Sequence, residues 1–313
     1  MLCGLVLIKM KIFLIGGTGF IGRIVVSSFI QKGHEVTLLV SSNKKIKVFK
    51  RDLEVISGDP ALPGEWQKNM GLHDIVINLA GTSIFQRWNK RIKDQIYTSR
   101  IITTRNIVEG LKTYNKQVKH FFNASGVGYY GYNQEAVFDE KSPPGNSFLA
   151  MVARDWEHEA LNAQSLGVRT VLCRFGIVMG REGGALKNML PLFKMSCGGT
   201  WGSGNQWFSW IHESDLVSAL DFLIHQKIIE GPVNFTAPHP VQNRELVESM
   251  KQVLQRKSII PAIPGFFIKG LLGEFSEVFL KGQRAIPAKL VENGYKFYFS
   301  DLKDCLTDLL SPK

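Results

Sequence analysis

Residues 11–22 read KIFLIGGTGFIG. An apolar run from Lys11 to Ile15 is followed by Gly16, Gly17, Thr18, Gly19, Phe20, Ile21 and Gly22. The spacing satisfies GxGxxG from Gly17 and GxxGxxG from Gly16. Such spacing alone is a weak signal, and its flanks make it specific. A compact apolar strand enters the glycines, and an amphipathic helix over Gly19–Lys32 leaves them, with Phe20, Ile21, Ile24, Val25 and Phe29 on one face. The early glycines permit a tight turn, the bare backbone lets a pyrophosphate approach, and Gly22 lets the helix close on the sheet. The helix N-terminus turns free N–H groups and the positive end of its dipole toward phosphate. Gly16, Thr18, Gly19, Phe20, Ile21 and Gly22 are therefore expected to hold a dinucleotide.

Outward from this loop, the first half alternates strands and helices. Gly33 ends the first helix, and strands are expected at Glu35–Val40, Leu53–Ile56, Asp74–Leu79, His120–Ala124 and Val168–Phe175. Helices are expected over Lys90–Lys112 and Met151–Gln164. Near-continuous apolar strands separated by helices predict a parallel sheet covered on both faces, a Rossmann-like doubly wound α/β fold. After Gly180 the character changes. Gly183–Gly184 and the run from Gly198 to Gly204 read as loops. Val233–Thr236 reads as a strand, Asn243–Gln255, Gly265–Leu272 and Ala285–Asn293 as helices, and Tyr295–Phe299 as a terminal strand. The expected organisation is a dinucleotide-binding domain over residues 1–178, joined by 213–237. A smaller α+β C-terminal lobe over 179–212 and 238–313 carries the substrate side.

The end of the second strand decides between cofactors. NAD binders usually carry a carboxylate there for the ribose hydroxyls. Here Val40 leads into Ser41, Ser42, Asn43, Lys44 and Lys45. Small polar and cationic side chains suit a 2′-phosphate, with Arg23 near enough to help. NADP(H) is the expected cofactor and NAD(H) the alternative, with Ser41, Ser42 and Lys44 as expected contacts. Asp59 beyond the third strand, Leu79, Ala80 and Gly81 beyond the fourth, and Ser125 beyond the fifth complete the expected wall.

Bulk properties fit this reading. In 313 residues, 38 basic against 27 acidic side chains leave a formal charge of +11. The basic residues are dispersed except for Lys44, Lys45, Lys47, Lys50 and Arg51, which no aromatics interleave, so nucleic acid is set aside. The excess suits an anionic cofactor and a small-molecule substrate that is anionic or carbonyl-bearing. No apolar run reaches the roughly 18 residues of a membrane helix, so no membrane partner is expected. The opening MLCGLVLIKM has a short apolar stretch, no basic leader and no cleavage site, and reads as an extension before Met10. Cys3, Cys173, Cys197 and Cys305 are far apart, so neither zinc nor a redox dithiol is expected, and a reducing cytoplasm fits best. Oligomeric state has no signature in the sequence.

The GGTGFIG loop, Asn78–Gly81, and Ser125 followed by Tyr129–Tyr130–Gly131 together resemble an extended short-chain dehydrogenase/reductase. Later motifs sharpen the likeness: the run from Trp201 to Trp207, Ser209–Trp210–Ile211–His212 with Asp215, Gly231–Pro238, and Gly282–Gln283–Arg284 with Pro287. They resemble one atypical branch, the bacterial and organellar "epimerase family protein", whose C-terminal part is a domain of unknown function. The resemblance covers about residues 11–310 and implies a Rossmann-like domain, a C-terminal substrate lobe and NADP(H) binding. Relatives often carry Arg near Ser42, where this chain offers Lys44 instead.

The resemblance also frames catalysis. Active short-chain enzymes use Tyr-x-x-x-Lys with a serine. Ser125 fits the serine position. The Tyr and Lys positions are expected at Phe148 and Val152, neither of which exchanges a proton. Substitute groups are then sought among Tyr129, Tyr130, Arg154, Asp155, Glu157 and His212, with Tyr130 beside Ser125 the expected donor. For His212, a structural turn with Asp215 capping the next helix is the competing reading. Arg87 and Arg100 are candidates for an anionic substrate. Two functions remain: an oxidoreductase or epimerase-like enzyme, and a non-catalytic NADP(H)-binding sensor or interaction module.

Overall fold

The structure, a computed structural model, describes residues 9–41, 53–260 and 262–311. Ser42, Lys44 and Lys45 of the basic turn lie outside the described residues. In chain order the elements begin β1 Lys11–Ile15, α1 Phe20–Gln31, β2 Glu35–Val40, β3 Glu54–Ser57, α2 Glu65–Met70, β4 Ile75–Asn78, α3 Lys90–Tyr114, β5 His120–Gly126, β6 Asn133–Phe138, α4 Phe148–Leu161 and β7 Arg169–Phe175. There follow β8 Ile177–Met179, α5 Gly184–Lys194, β9 Thr200–Trp201, β10 Trp207–Phe208, β11 Trp210–His212, α6 Glu213–His225 and β12 Gly231–Phe235. The last are β13 Val241–Gln242, α7 Asn243–Leu254, β14 Ala262–Ile263, α8 Gly265–Leu272, α9 Glu277–Leu280, β15 Gln283–Ala285, α10 Ala288–Glu292 and α11 Leu302–Leu310.

Seven strands form one parallel sheet in the order β12-β7-β5-β4-β1-β2-β3. Side chains alternate across a strand, so β1 splits its apolar run between two cores. Ile12 and Leu14 join Val25, Val26 and Phe29 of α1 and Leu216, Leu220 and Leu223 of α6 on one face. Phe13 and Ile15 join Trp66 and Met70 of α2 and Ile107 and Leu111 of α3 on the other. Each fully buried side chain of this size contributes about 1.5–3 kcal/mol, which explains why β1 has no polar position after Lys11. The chain is a Rossmann-like α/β protein.

In the second half, α7, α8 and β12 stand where a helix, a helix and a strand are expected, and a further helix begins at Gly184. Gly184–Lys194 is helical, and its Leu186, Met189 and Phe193 pack with Trp210, Leu246 and Met250 on the final helix, α11, through Leu302, Leu306 and Leu309. Tyr295–Phe299 keeps its alternating apolar side chains but pairs with no strand. Instead the buried Asp215 carboxylate accepts the Tyr298 and Phe299 N–H groups at 2.8 and 2.9 Å and the Tyr295 hydroxyl at 3.1 Å. Asp215 thus ties down the C-terminal segment, and His212 caps α6, its Nδ1 accepting from Ser214 N–H at 3.0 Å. Among the described residues no helix is long and apolar enough to cross a membrane, and no group of three His, Cys, Asp or Glu side chains could hold a metal.

His120 opens β5 with 7% of its surface exposed, its Nδ1 3.2 Å from the Arg169 guanidinium. Burial first, and then the positive charges of Arg169, Lys227 and Lys119, push its pKa from 6.5 down to about 4. The unfolded chain therefore binds a proton near 6.5 that the fold refuses until about 4, so stability falls as pH drops through that window. The loss should reach roughly 2 kcal/mol by about pH 5. Denaturant melts at graded pH should show this slope in the wild type and a flatter one in His120→Gln; equal slopes would count against His120 as the sensor.

Candidate functional site

The order of strands reverses at β1, with β2 on one side and β4 on the other. That is where open α/β sheets leave a crevice beyond the carboxyl ends of their strands. A cavity of about 510 Å³ occupies this position. Gly16, Gly19, Phe20, Ile21 and Gly22 form one wall, and Leu79, Ala80 and Gly81 continue it. Ser125 to Gly128 line it as well. From the second half of the chain, Trp207, Ser209, Val278 and Lys281–Gln283 complete its lining.

Close backbone approach explains the glycines. Gly16 has φ +84°, and a Cβ there would lie 2.6 Å from the backbone of Leu79 and Ala80. A Cβ on Gly22 would stand 2.4 Å from the Gly16 carbonyl oxygen. The loop can therefore fold tightly against β4 only without side chains at both positions. Phe20 serves a different purpose: a Cβ at Gly183 would collide with its ring at 2.2 Å, so this glycine seats the aromatic ring and joins the nucleotide loop to the start of α5.

Ser125 is buried and its hydroxyl donates to Glu157 Oε1 at 2.6 Å. Arg174 grips the same carboxylate twice, Nε to Oε1 at 2.8 Å and Nη2 to Oε2 at 2.7 Å. Burial opposes the guanidinium charge, but the hydrogen bonds and charge of Glu157 reverse that and raise the Arg174 pKa. With its proton committed to Glu157, Ser125 presents its lone pairs to the cavity and is suited to accept a hydroxyl from a ligand.

Tyr130, the expected donor, does not line the cavity. Its hydroxyl donates to Asn234 Oδ1 at 2.7 Å and accepts from Arg174 Nη1 at 2.9 Å, and the residue is 3% exposed. Burial raises its pKa even with Arg174 alongside. The geometry therefore moves the donor role away from Tyr130, because the Arg174 side chain draws the phenol behind Ser125. Tyr132, two residues on, does line the cavity. Burial, with Glu277 second, pushes its pKa up to about 12, and its hydroxyl makes no hydrogen bond among the described residues.

The helix α4 presents Leu149, Val152, Ala153 and Trp156 to the cavity. Phe148 turns away and packs edge-on to Trp88, ring centroids 5.3 Å apart. Of the two expected positions, Val152 lines the cavity and Phe148 does not, and Leu149 and Ala153 stand beside Val152 on the wall. None of these four carries an acid or a base. Arg154 and Asp155 pair with each other at 2.9 Å on the outer face of the helix. Tyr129 lies under the Arg174 guanidinium, 3.5 Å from ring centre. His212 is buried against Phe299 away from the cavity.

Of the expected cofactor contacts, the structure gathers Gly16, Gly19, Phe20, Ile21, Gly22, Leu79, Ala80, Gly81 and Ser125 around the cavity. Thr18, Ser41 and Asp59 are not on its wall; the Asp59 carboxylate is exposed and accepts from Ala61 N–H at 2.9 Å. Ser42 and Lys44 lie outside the described residues. Trp207, Ser209 and Gln283 sit in sequence motifs already singled out, although the motifs give them no role. Lys281 and Tyr132 have no sequence signal.

The Glu157–Arg174 pair makes a sharp contrast testable. Glu157→Gln leaves a buried guanidinium without its counter-charge and should cost about 3–5 kcal/mol in urea denaturation. Ser125→Ala removes one hydrogen bond but leaves the ion pair intact, and should cost about 1 kcal/mol. Similar losses in both variants would contradict the arrangement.

Residues 12–234 match the NAD dependent epimerase/dehydratase family, and residues 263–309 match a domain of unknown function, DUF1731. The chain is 38% identical over 304 residues to the chloroplastic epimerase family protein SDR39U1 homolog of Arabidopsis thaliana, covering 96% of this chain and 87% of that protein. It is 35% identical over 305 residues to the epimerase family protein YfhF of Bacillus subtilis, covering 97% and 99%. The crystal structure of human epimerase family protein SDR39U1 with NADPH superimposes with a TM-score of 0.83 at 29% identity, covering 96% of this chain and 99% of that one. By sequence along most of its length, this chain belongs to the NAD dependent epimerase/dehydratase family.

Proposed function

We propose that this chain binds NADP(H) and works as an oxidoreductase or epimerase-like enzyme on a small molecule. The observation that carries the reading is one cavity lined together by the glycine loop, Ser125 and residues from the second half of the chain. The residues fit the cofactor. The first turn of α1 has no side-chain cap and no acidic residue, so its N–H groups remain available to a pyrophosphate. A Cβ at Gly19 would meet nothing nearer than the Gly16 carbonyl oxygen at 3.4 Å, so the room above this glycine is free for a ligand. Gly16, Gly19 and the start of α1 would hold the phosphates, and Leu79–Gly81 would border the ribose. The lack of a carboxylate after Val40, with Lys44 and Lys45 beyond it, supports NADP(H) over NAD(H), as does the NADPH in the human relative.

When bound, the nicotinamide supplies or accepts a hydride. The chain contributes a hydroxyl at Ser125 that orients a substrate oxygen and a phenol at Tyr132 within the same cavity. Trp88, Trp201 and Phe148, the bulky side chains able to fill the space beside Ser125, pack on other aromatic rings instead. One observation favours the second reading, a binding module without turnover: Leu149, Val152 and Ala153 make the α4 wall inert.

Calorimetry should give NADPH an affinity at least several-fold above that of NADH, and Lys44→Glu should erase much of the difference by repelling the 2′-phosphate. Gly19→Val should keep its circular dichroism, because the fold has room for the side chain, and lose NADPH, because the phosphates do not. Normal NADPH binding by a folded Gly19→Val protein would overturn the loop assignment.

Turnover is tested by NADPH consumption across carbonyl compounds and nucleotide sugars. Activity should be slow, since lost acid–base help typically costs about 10²–10⁴ in rate. It should fall further in Ser125→Ala and Tyr132→Phe and persist in Tyr130→Phe when that variant folds. No consumption across the panel with NADPH binding intact would favour the binding module.

A further inference from the structure

Arg100 projects from α3 into the same cavity as Ser125. Its Nη1 donates to the carbonyl oxygens of Thr82 at 3.0 Å and Ile96 at 2.9 Å. The opposite edge, Nε and Nη2, makes no hydrogen bond among the described residues, and neither atom is fully buried. The guanidinium carbon lies 5.1 Å over the Trp156 ring. Gly81 leaves room for it: a Cβ there would stand 3.0 Å from that carbon and 3.2 Å from Nη2.

Among the described residues the charge has no counter-ion. Elsewhere in the described chain Arg174 pairs with Glu157, Arg105 with Glu159 and Arg154 with Asp155. No described carboxylate pairs with Arg100, and burial alone draws its pKa down to about 10. Among the described residues no Asp or Glu lines the cavity, and the other cation there, Lys281, is matched by Glu277 at 2.6 Å. A desolvated, unpaired cation is costly unless an anion completes it. The free edge of the guanidinium is the planar fork that takes a carboxylate or phosphate with two parallel hydrogen bonds. Its location adds direction. Trp156 directly precedes Glu157, which holds Ser125, so Arg100 and Ser125 flank one wall.

We propose that Arg100 is the specificity residue of the substrate side of this cavity, recognising a carboxylate or phosphate on a molecule whose reacting oxygen sits at Ser125. This deepens the reading above and rests on it. A ligand meeting both residues carries an anionic group at one end and a hydroxyl at the other, which fits hydroxy acids and phosphorylated sugars. Neutral ketones lack the first group and should bind poorly. The guanidinium could instead serve a phosphate of the cofactor, and the test separates these two sources.

The experiment titrates malonate and inorganic phosphate into the NADPH-loaded protein and into the protein alone, for wild type, Arg100→Met and Arg100→Lys. The expected result is saturable binding of at least one anion by wild type, weakened about tenfold or more in Arg100→Met and partly kept in Arg100→Lys. NADPH affinity should stay within about twofold in all three. Arg100→Lys keeps the charge and guards against misreading a folding defect. Absence of anion binding by wild type, or equal binding by Arg100→Met, would overturn the proposal. A tenfold loss of NADPH affinity in Arg100→Met would also overturn it by giving the guanidinium to the cofactor. Failure of wild type to bind NADPH is a separate result against the proposed cofactor, and titration of the unloaded protein still decides the anion.

Discussion

The carboxylate of Glu157 meets the guanidinium of Arg174 in the interior, with side chains only 6% and 3% exposed. Removing two charges from water costs several kcal/mol each, and a buried pair often contributes no more stability than an apolar pair of equal volume. What this pair provides is position. Glu157 stands on α4, Arg174 on β7, Ser125 on β5 and Asn234 on β12, and the Tyr130 hydroxyl bridges Arg174 to Asn234. Asn234 in turn receives β12 into the network, its N–H bonded to Glu140. One ion pair therefore fixes the hydroxyl that faces the cavity and the phenol that does not.

The same pair divides the polar groups by task. Behind Ser125, hydrogen bonds join Glu157, Arg174, Tyr130 and Asn234 into one network. In front of it the cavity wall is largely apolar, and its charge is positive. A cavity of this kind raises the local concentration of anions, and an overall charge of +11 extends that attraction to the approach.

The central sheet was legible because its information is local. The alternation in Ile12–Ile15, the glycines from Gly16 to Gly22 and the helical spacing of Ile24, Val25 and Phe29 each lie within one element. The contacts of the second half are not local. The two-residue strands β9 and β14, or β10 and β13, carry no periodicity and exist through partners far along the chain. Tyr295–Phe299 shows the alternation of a strand, but the group that satisfies its backbone is the Asp215 carboxylate, which no pattern in that segment announces. At the site, the glycine loop and Ser125 followed from motif and strand end. The direction of Tyr130 did not, since it depends on Arg174 from another strand. On α4 Val152 lines the cavity while Phe148 packs on Trp88, a contact with a distant segment that the helical spacing does not announce.

The position of β12 at the end of the sheet has a consequence for how the protein is made. Its partner β7 ends at Phe175, yet β12 begins only at Gly231, after β8, α5, β9, β10, β11 and α6 have been synthesised. During vectorial synthesis the outer edge of β7 therefore waits with unpaired N–H and C=O groups while apolar residues such as Val171 and Cys173 await cover from Val233 and Phe235. An exposed edge of this sort is a template for wrong pairing between nascent chains. The nucleotide-binding half is thus not a module that a ribosome finishes first. It is completed from the far side of the lobe it encloses, so premature termination or a cut between the two halves would leave a sheet prone to join its neighbours.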